Sequence, residues 1–131
     1  MRLLLRRPPA YARRAQVALG LVRLVNGALG LLAPQVLVRQ LGGDPRTSPS
    51  AVYAFRLFGV RTVLIGADLL RGESPHLDRA VRRAPLIHAS DTATAVLLAT
   101  GGALPRRAGV MISAISGLNT VLALLARAGR R

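Results

Sequence analysis

Four apolar stretches, at residues 15–38, 51–70, 84–100 and 108–126, follow one another along the chain, and each carries polar or charged residues near its middle. Arg23 and Asn26 lie in the first, Arg56, Arg61 and Asp68 in the second, His88 and Asp91 in the third, and Asn119 in the fourth. An apolar window of about 17–25 residues is long enough to cross a bilayer as a helix, and ionisable groups inside such a window need partners within the bundle. The pattern therefore predicts an all-α protein, a four-helix transmembrane bundle with a polar interior. The second stretch gives the soluble alternative its best support, since its three charges cost about 2.5–3.5 kcal/mol each near a membrane helix centre. A soluble amphipathic helix, however, needs a broad polar face recurring every third or fourth position. The fourth stretch offers Ser113, Ser116, Asn119 and Thr120, but not one charge between Gly109 and Ala126.

The breaks between the stretches set the organisation. Residues 1–14 are basic and interrupted by Pro8 and Pro9, and they read as a cytoplasmic tail lying on lipid headgroups. Pro34 falls inside the first apolar pattern, where it should end or kink the helix and leave residues 35–41 as a short interfacial turn. The loop GGDPRTSPS at 42–50 is a clear break. Residues 71–83 (RGESPHLDRAVRR) form the longest polar connection, so the third helix is expected from Ala84 to just before Gly101 and Gly102. Pro105, Arg106 and Arg107 introduce the fourth, and 127–131 is a second basic tail. The expected domain is one membrane unit, 15–126, between two tails. No internal repeat or sustained heptad is present.

Length and composition leave room for a single domain: 131 residues, 51% hydrophobic, with a mean hydropathy of +0.38. Aromatics make up only 3% with no Trp, which removes both an aromatic belt and a stacking platform for bases. All 19 basic residues are Arg, and with so much Ala, Gly, Leu and Val this is the composition of a GC-rich bacterial genome. A net charge of +14 raises nucleic acid as a partner. The arginines outside the apolar stretches sit in short flanks and connections, so the expected partner is instead a bilayer whose anionic headgroups meet the cytoplasmic Arg clusters, with no nucleic acid.

With the N-terminus cytoplasmic, that side holds Arg2, Arg6, Arg7, Arg13, Arg14, Arg71, Arg79, Arg82, Arg83, Arg127, Arg130 and Arg131. The other side holds only Arg39, Arg46, Arg106 and Arg107. Positive residues favour the cytoplasm, so both termini are expected inside a multi-pass protein of the plasma membrane. A cleavable signal peptide is not expected, because Leu3, Leu4 and Leu5 are the only apolar run before the arginines and prolines. The pair Arg13 and Arg14 weakly resembles a twin-Arg signal, but an uncleaved first membrane helix is the expectation.

At about 1.5 Å per residue, Arg61 and Asp91 fall at the same depth and are the expected ion pair, linking the second and third long helices. Arg23, Asp68, His88 and Asn119 lie toward the cytoplasmic half of this layer, and Arg56 toward the outer half. Such a layer either fixes which helices are neighbours or forms a cavity that binds a polar or anionic ligand, or relays protons through Asp91 and His88. Arg23, Arg56 and Arg61 outnumber Asp68 and Asp91, which leaves room for an anion.

No catalytic residue and no cofactor or metal is expected. His88 and Asp91 supply two ligands where a metal site needs three or four, and His76, the other His, is placed in a connection. Ser90, Ser113 and Ser116 build no triad on sequence alone, since serines in membrane helices usually bond their own backbone or pack closely. The absence of Cys excludes disulfides and thiolate chemistry. Small residues form stripes, Gly20, Gly27 and Gly30 in the first helix, Gly59 and Gly66 in the second, and Gly109, Ser113, Ser116 and Gly117 in the fourth. These allow close helix approach within the bundle, in a homo-oligomer, or against a partner membrane protein.

The run RLFGVRTVLIGADLL at 56–70, preceded by GLLAP at 30–34 and followed by His88, Asp91 and LPRR at 104–107, resembles a group of small integral membrane proteins of unknown function common in actinobacteria. The resemblance spans residues 20–126, rests chiefly on the R-x-x-G-x-R pattern, and implies four membrane helices but no activity. Asp68 departs from it, since an apolar or small residue is expected there. The expected function is that of a non-enzymatic accessory or assembly partner. Alternatives are a small proton-coupled transporter or membrane binding protein for an anionic or polar ligand, and, third, an enzyme acting on an apolar substrate.

Overall fold

The computed structural model describes residues 7–130, which form five helices: α1 (Ala10–Leu32), α2 (Pro34–Gln40), α3 (Pro49–Leu70), α4 (Pro75–Thr100) and α5 (Arg106–Ala128). Residues 1–6 of the expected tail, and Arg131, lie outside the described residues. Pro34 interrupts the first apolar stretch as expected. It has no N–H to donate and it excludes the helical conformation at Ala33, whose φ of −136° and ψ of 54° mark the break. Pro34 then opens the short α2, a helix separate from the four long ones.

Two boundaries differ from expectation. Helix α1 begins at Ala10 rather than at 15, because the Pro9 carbonyl accepts from the amides of Ala12 and Arg13 at 3.0 and 3.2 Å and so starts the helix within the basic segment. The third long helix begins at Pro75 rather than at Ala84, and most of the supposed polar connection is its first two turns. Ser74 caps it, its hydroxyl accepting from the Leu77 amide at 3.2 Å, with Pro75 in the first turn and Asp78 placed to favour the helix dipole. Leu77, Val81, Ala84 and His88 then recur at helical spacing and are buried, and it is this face that carries the helix inward through Pro85.

The long helices run alternately up and down. At one end Gly129 packs against Pro9 and Ala12, and Arg127 Nη1 reaches the Arg82 carbonyl at 3.5 Å. At the opposite end Gly42, with a φ of +83° that favours glycine, packs against Pro105. Helix α1 packs on α3 and α5, α4 packs on α5, and α3 touches α4 only lightly, so the order round the bundle is α1, α3, α4, α5, with α1 and α4 across the diagonal.

The α1–α3 contact is the tightest. Gly27 lies on Gly59 and Val63, Gly30 lies on the Phe55 carbonyl, and a Cβ added at Gly27 would stand 2.7 Å from the Val63 nitrogen. This is backbone-to-backbone packing of the kind that small residues permit. Near the end where Pro9 meets Gly129, Leu19, Leu69, Leu77, Val81 and Ala123 belong to the apolar core. Three helices, α1, α3 and α5, are long and apolar enough to cross a membrane by length and composition. Helix α4 is long enough but is diluted by His88, Asp91 and its threonines.

Candidate functional site

Arg23 is the centre of the polar interior. It sits on the inward face of α1, one turn from Gly27, and only 4% of its surface is exposed. Its guanidinium crosses the diagonal to α4, where Nη2 lies 3.3 Å from His88 Nδ1 and 3.5 Å from Asp91 Oδ2. His88 is 1% exposed, and its Nδ1 is 3.7 Å from the same carboxylate oxygen. An arginine has no acceptor, so Nη2 donates and His88 Nδ1 accepts, which fixes the ring proton on Nε2. That Nε2, Arg23 Nε and Asn119 Oδ1 are buried without a partner.

The third member is of a different kind. The Asp91 side chain is 45% exposed, so one carboxylate links a buried guanidinium to the outer surface of α4. Below it, the Thr92 and Thr120 hydroxyls meet at 2.9 Å and join α4 to α5, and Thr92 also donates to the His88 carbonyl at 2.8 Å.

The ion pair expected between Arg61 and Asp91 is not formed in the chain; Asp91 is held by Arg23. Arg61 is exposed on α3 and makes no ion pair among the described residues. The reason is angular. Helix α3 turns its glycine face to α1 and only grazes α4, whereas the long side chain of Arg23 reaches Asp91 across the bundle axis. Arg56 is likewise exposed, and Asp68 leaves the layer to pair with Arg71 at 3.3 Å on the surface. Of the seven expected polar-layer residues, then, Arg23, His88 and Asp91 come together, Asn119 is buried on α5, and Arg56, Arg61 and Asp68 stand apart.

A second cluster was not anticipated. Arg130 Nη1 donates to Asp78 at 2.6 Å, and its Nη2 donates to Glu73 at 2.9 Å and to Gln16 Oε1 at 3.3 Å, while Gln16 Nε2 donates to the Leu69 carbonyl at 2.8 Å. It clasps the end of α5 to the starts of α4 and α1. The available signal was two acids, Glu73 and Asp78, in an otherwise basic segment.

Among the described residues no group of three or more His, Cys, Asp or Glu is placed to hold a metal. Two shallow grooves, one along the start of α1 and one where α4 meets α5 near Gly102, are lined by none of Arg23, His88 or Asp91. Chemically, the arrangement holds a half-exposed carboxylate against a buried cation. No protein-family model, curated protein or solved structure matches the chain.

Proposed function

We propose that this is a small multi-pass protein of a bacterial plasma membrane, in which α1, α3, α4 and α5 all cross, both termini are cytoplasmic, and the chain acts as a non-enzymatic accessory or assembly partner. The observation that carries this reading is an inversion on a single helix. On α1, Leu21 and Val25 are 53% and 60% exposed while Arg23 between them is buried. In water both placements are unfavourable, and in hydrocarbon both are favourable. Exposed Leu57 and Leu64 on α3 and Val121 and Leu124 on α5 continue the apolar belt.

The arginine distribution supports the orientation. Among the described residues, Arg7, Arg13, Arg14, Arg71, Arg79, Arg82, Arg83, Arg127 and Arg130 stand at the end holding both termini, against Arg39, Arg46, Arg106 and Arg107 at the other. The resemblance to the small actinobacterial membrane proteins agrees with this proposal. The accessory role is favoured because the Arg23–His88–Asp91 cluster ties α1 to α4 without forming a complete catalytic set. A second reading, a proton-coupled transporter or a binder of a polar or anionic ligand, is favoured by one observation: the unpartnered Arg23 Nε and His88 Nε2.

Reporter fusions at Arg131 and within residues 42–50 are expected to report opposite sides of the membrane, with the protein extracted only by detergent. Matching reports would sink the topology, and a monodisperse protein in plain buffer would sink the membrane reading. Asp91→Asn separates the two roles. If it folds and the cells retain full function, the cluster is structural; if it folds and function is lost, the ligand or proton reading prevails.

A further inference from the structure

Helix α4 is the exception in the belt. Where α1, α3 and α5 turn leucines and valines outward along their length, the outer side of α4 between Leu86 and Val96 shows Ala89, Ser90, Ala93 and Thr94. The Thr94 hydroxyl is satisfied by the Ser90 carbonyl at 2.9 Å, and residues this small permit close backbone approach. Beside it stands the half-exposed Asp91 carboxylate.

Arg61 lies within about one helical turn of that depth. Its neighbours Gly59 and Val63 back onto Gly27, which is one turn from Arg23, the residue that holds Asp91. At about 100° per residue, Arg61 points roughly 160° away from the α1-facing side of Gly59, onto the face that α3 shares with α4. A guanidinium exposed at this depth, with no acceptor among the described residues, is costly in hydrocarbon.

We propose that two copies of this chain pair through their α3/α4 faces about a two-fold axis along the membrane normal, so that Arg61 of each copy binds the Asp91 carboxylate of the other. Such an axis keeps every residue at its own depth and sets α3 of one copy against α4 of its mate. One contact then becomes two by symmetry. The Asp91 carboxylate, with acceptor capacity to spare, sits between Arg23 of its own chain and Arg61 of the other. The pairing also covers the one long helix that is poorly suited to lipid. The polar cluster, open at Asp91 in the single chain, is completed by the second copy. This inference rests on the membrane reading above.

The absence of native cysteine makes the test clean. Two differently tagged copies, one carrying Leu57→Cys and the other Thr94→Cys, are co-expressed and oxidised in native membranes. A disulfide between the two tags is expected, and adding Arg61→Glu to both copies should lower its yield about tenfold or more. Co-expressing an Arg61→Glu copy with an Asp91→Lys copy should restore association, because each like-charge homodimer is then replaced by two attractive pairs. Absence of the cross-link, a cross-link indifferent to Arg61→Glu, or rescue only when both changes are in one chain would overturn the proposal, the last by showing a pair formed within the chain. If Asp91→Lys fails to accumulate, the cysteine experiment with and without Arg61→Glu still decides. A chain that needs detergent but stays monomeric defeats this inference alone, whereas a chain found in the soluble fraction defeats the membrane reading first.

Discussion

Removing the Arg23 guanidinium leaves Asp91 without its cation and the buried His88 Nδ1 without its donor. Arg23→Met, which keeps the length of the side chain and loses the charge, is therefore expected to destabilise the protein by about 1–3 kcal/mol, the cost of leaving the buried His88 nitrogen without its donor. Arg56→Met, on an exposed position without a partner, should stay within about 0.5 kcal/mol. Thermal unfolding of the two variants in the same detergent checks this, and equal shifts would show that Arg23 is not the keystone. The cluster was half legible in the sequence. Depth follows from counting residues along antiparallel helices, which is why Arg61 and Asp91 were expected to be level. Which cation takes the carboxylate depends on the order of helices round the bundle and on the reach of an arginine across its axis, and neither is written in hydropathy.

The way α1 meets α3 turns on glycine rather than on charge. A Cβ on Gly59 would strike the Leu31 nitrogen and come within 2.7 Å of the Gly27 carbonyl oxygen, and these are backbone atoms that move only if the helices part. Gly59→Ala is expected to cost about 1–3 kcal/mol as overpacking. Gly117→Ala, with nothing within 4 Å of the new methyl, should be neutral or stabilise by about 0.4–1 kcal/mol through the unfolded chain. Comparing the midpoints of the two single variants tests the pair, and a harmless Gly59→Ala would mean that the close contact is dispensable. The glycine stripes of the first and second long helices were visible from spacing, as was the stop at Pro34, because both are backbone chemistry that side-chain context does not override. The start of α4 was hidden for the opposite reason. Residues 71–83 are polar by composition, yet Ser74 and Pro75 open a helix and Leu77, Val81, Ala84 and His88 give it a buried face. A count of polar residues masks that periodicity.

Over the whole molecule two asymmetries act together, an apolar belt around a buried arginine and a surplus of arginine at one end. The belt argues for a bilayer, and the surplus for an orientation in it. The arginines most open to change are Arg13, Arg14, Arg82 and Arg83, which are exposed and carry none of the contacts of the interior cluster. Replacing these four together with Arg2, Arg6 and Arg7 by Gln leaves Arg71, Arg79, Arg127, Arg130 and Arg131 facing Arg39, Arg46, Arg106 and Arg107, five against four in the sequence. Orientation follows the bias in Arg and Lys near the helix ends, so this variant should insert in both orientations, with reporters at Arg131 giving mixed signals where the parent gives one. Changing Arg39, Arg46, Arg106 and Arg107 to Gln instead enlarges the bias and should leave the parent orientation intact. A single, unchanged orientation in the first variant would show that arginine placement does not set the topology, and the assignment of the termini to the cytoplasm would lose its physical basis.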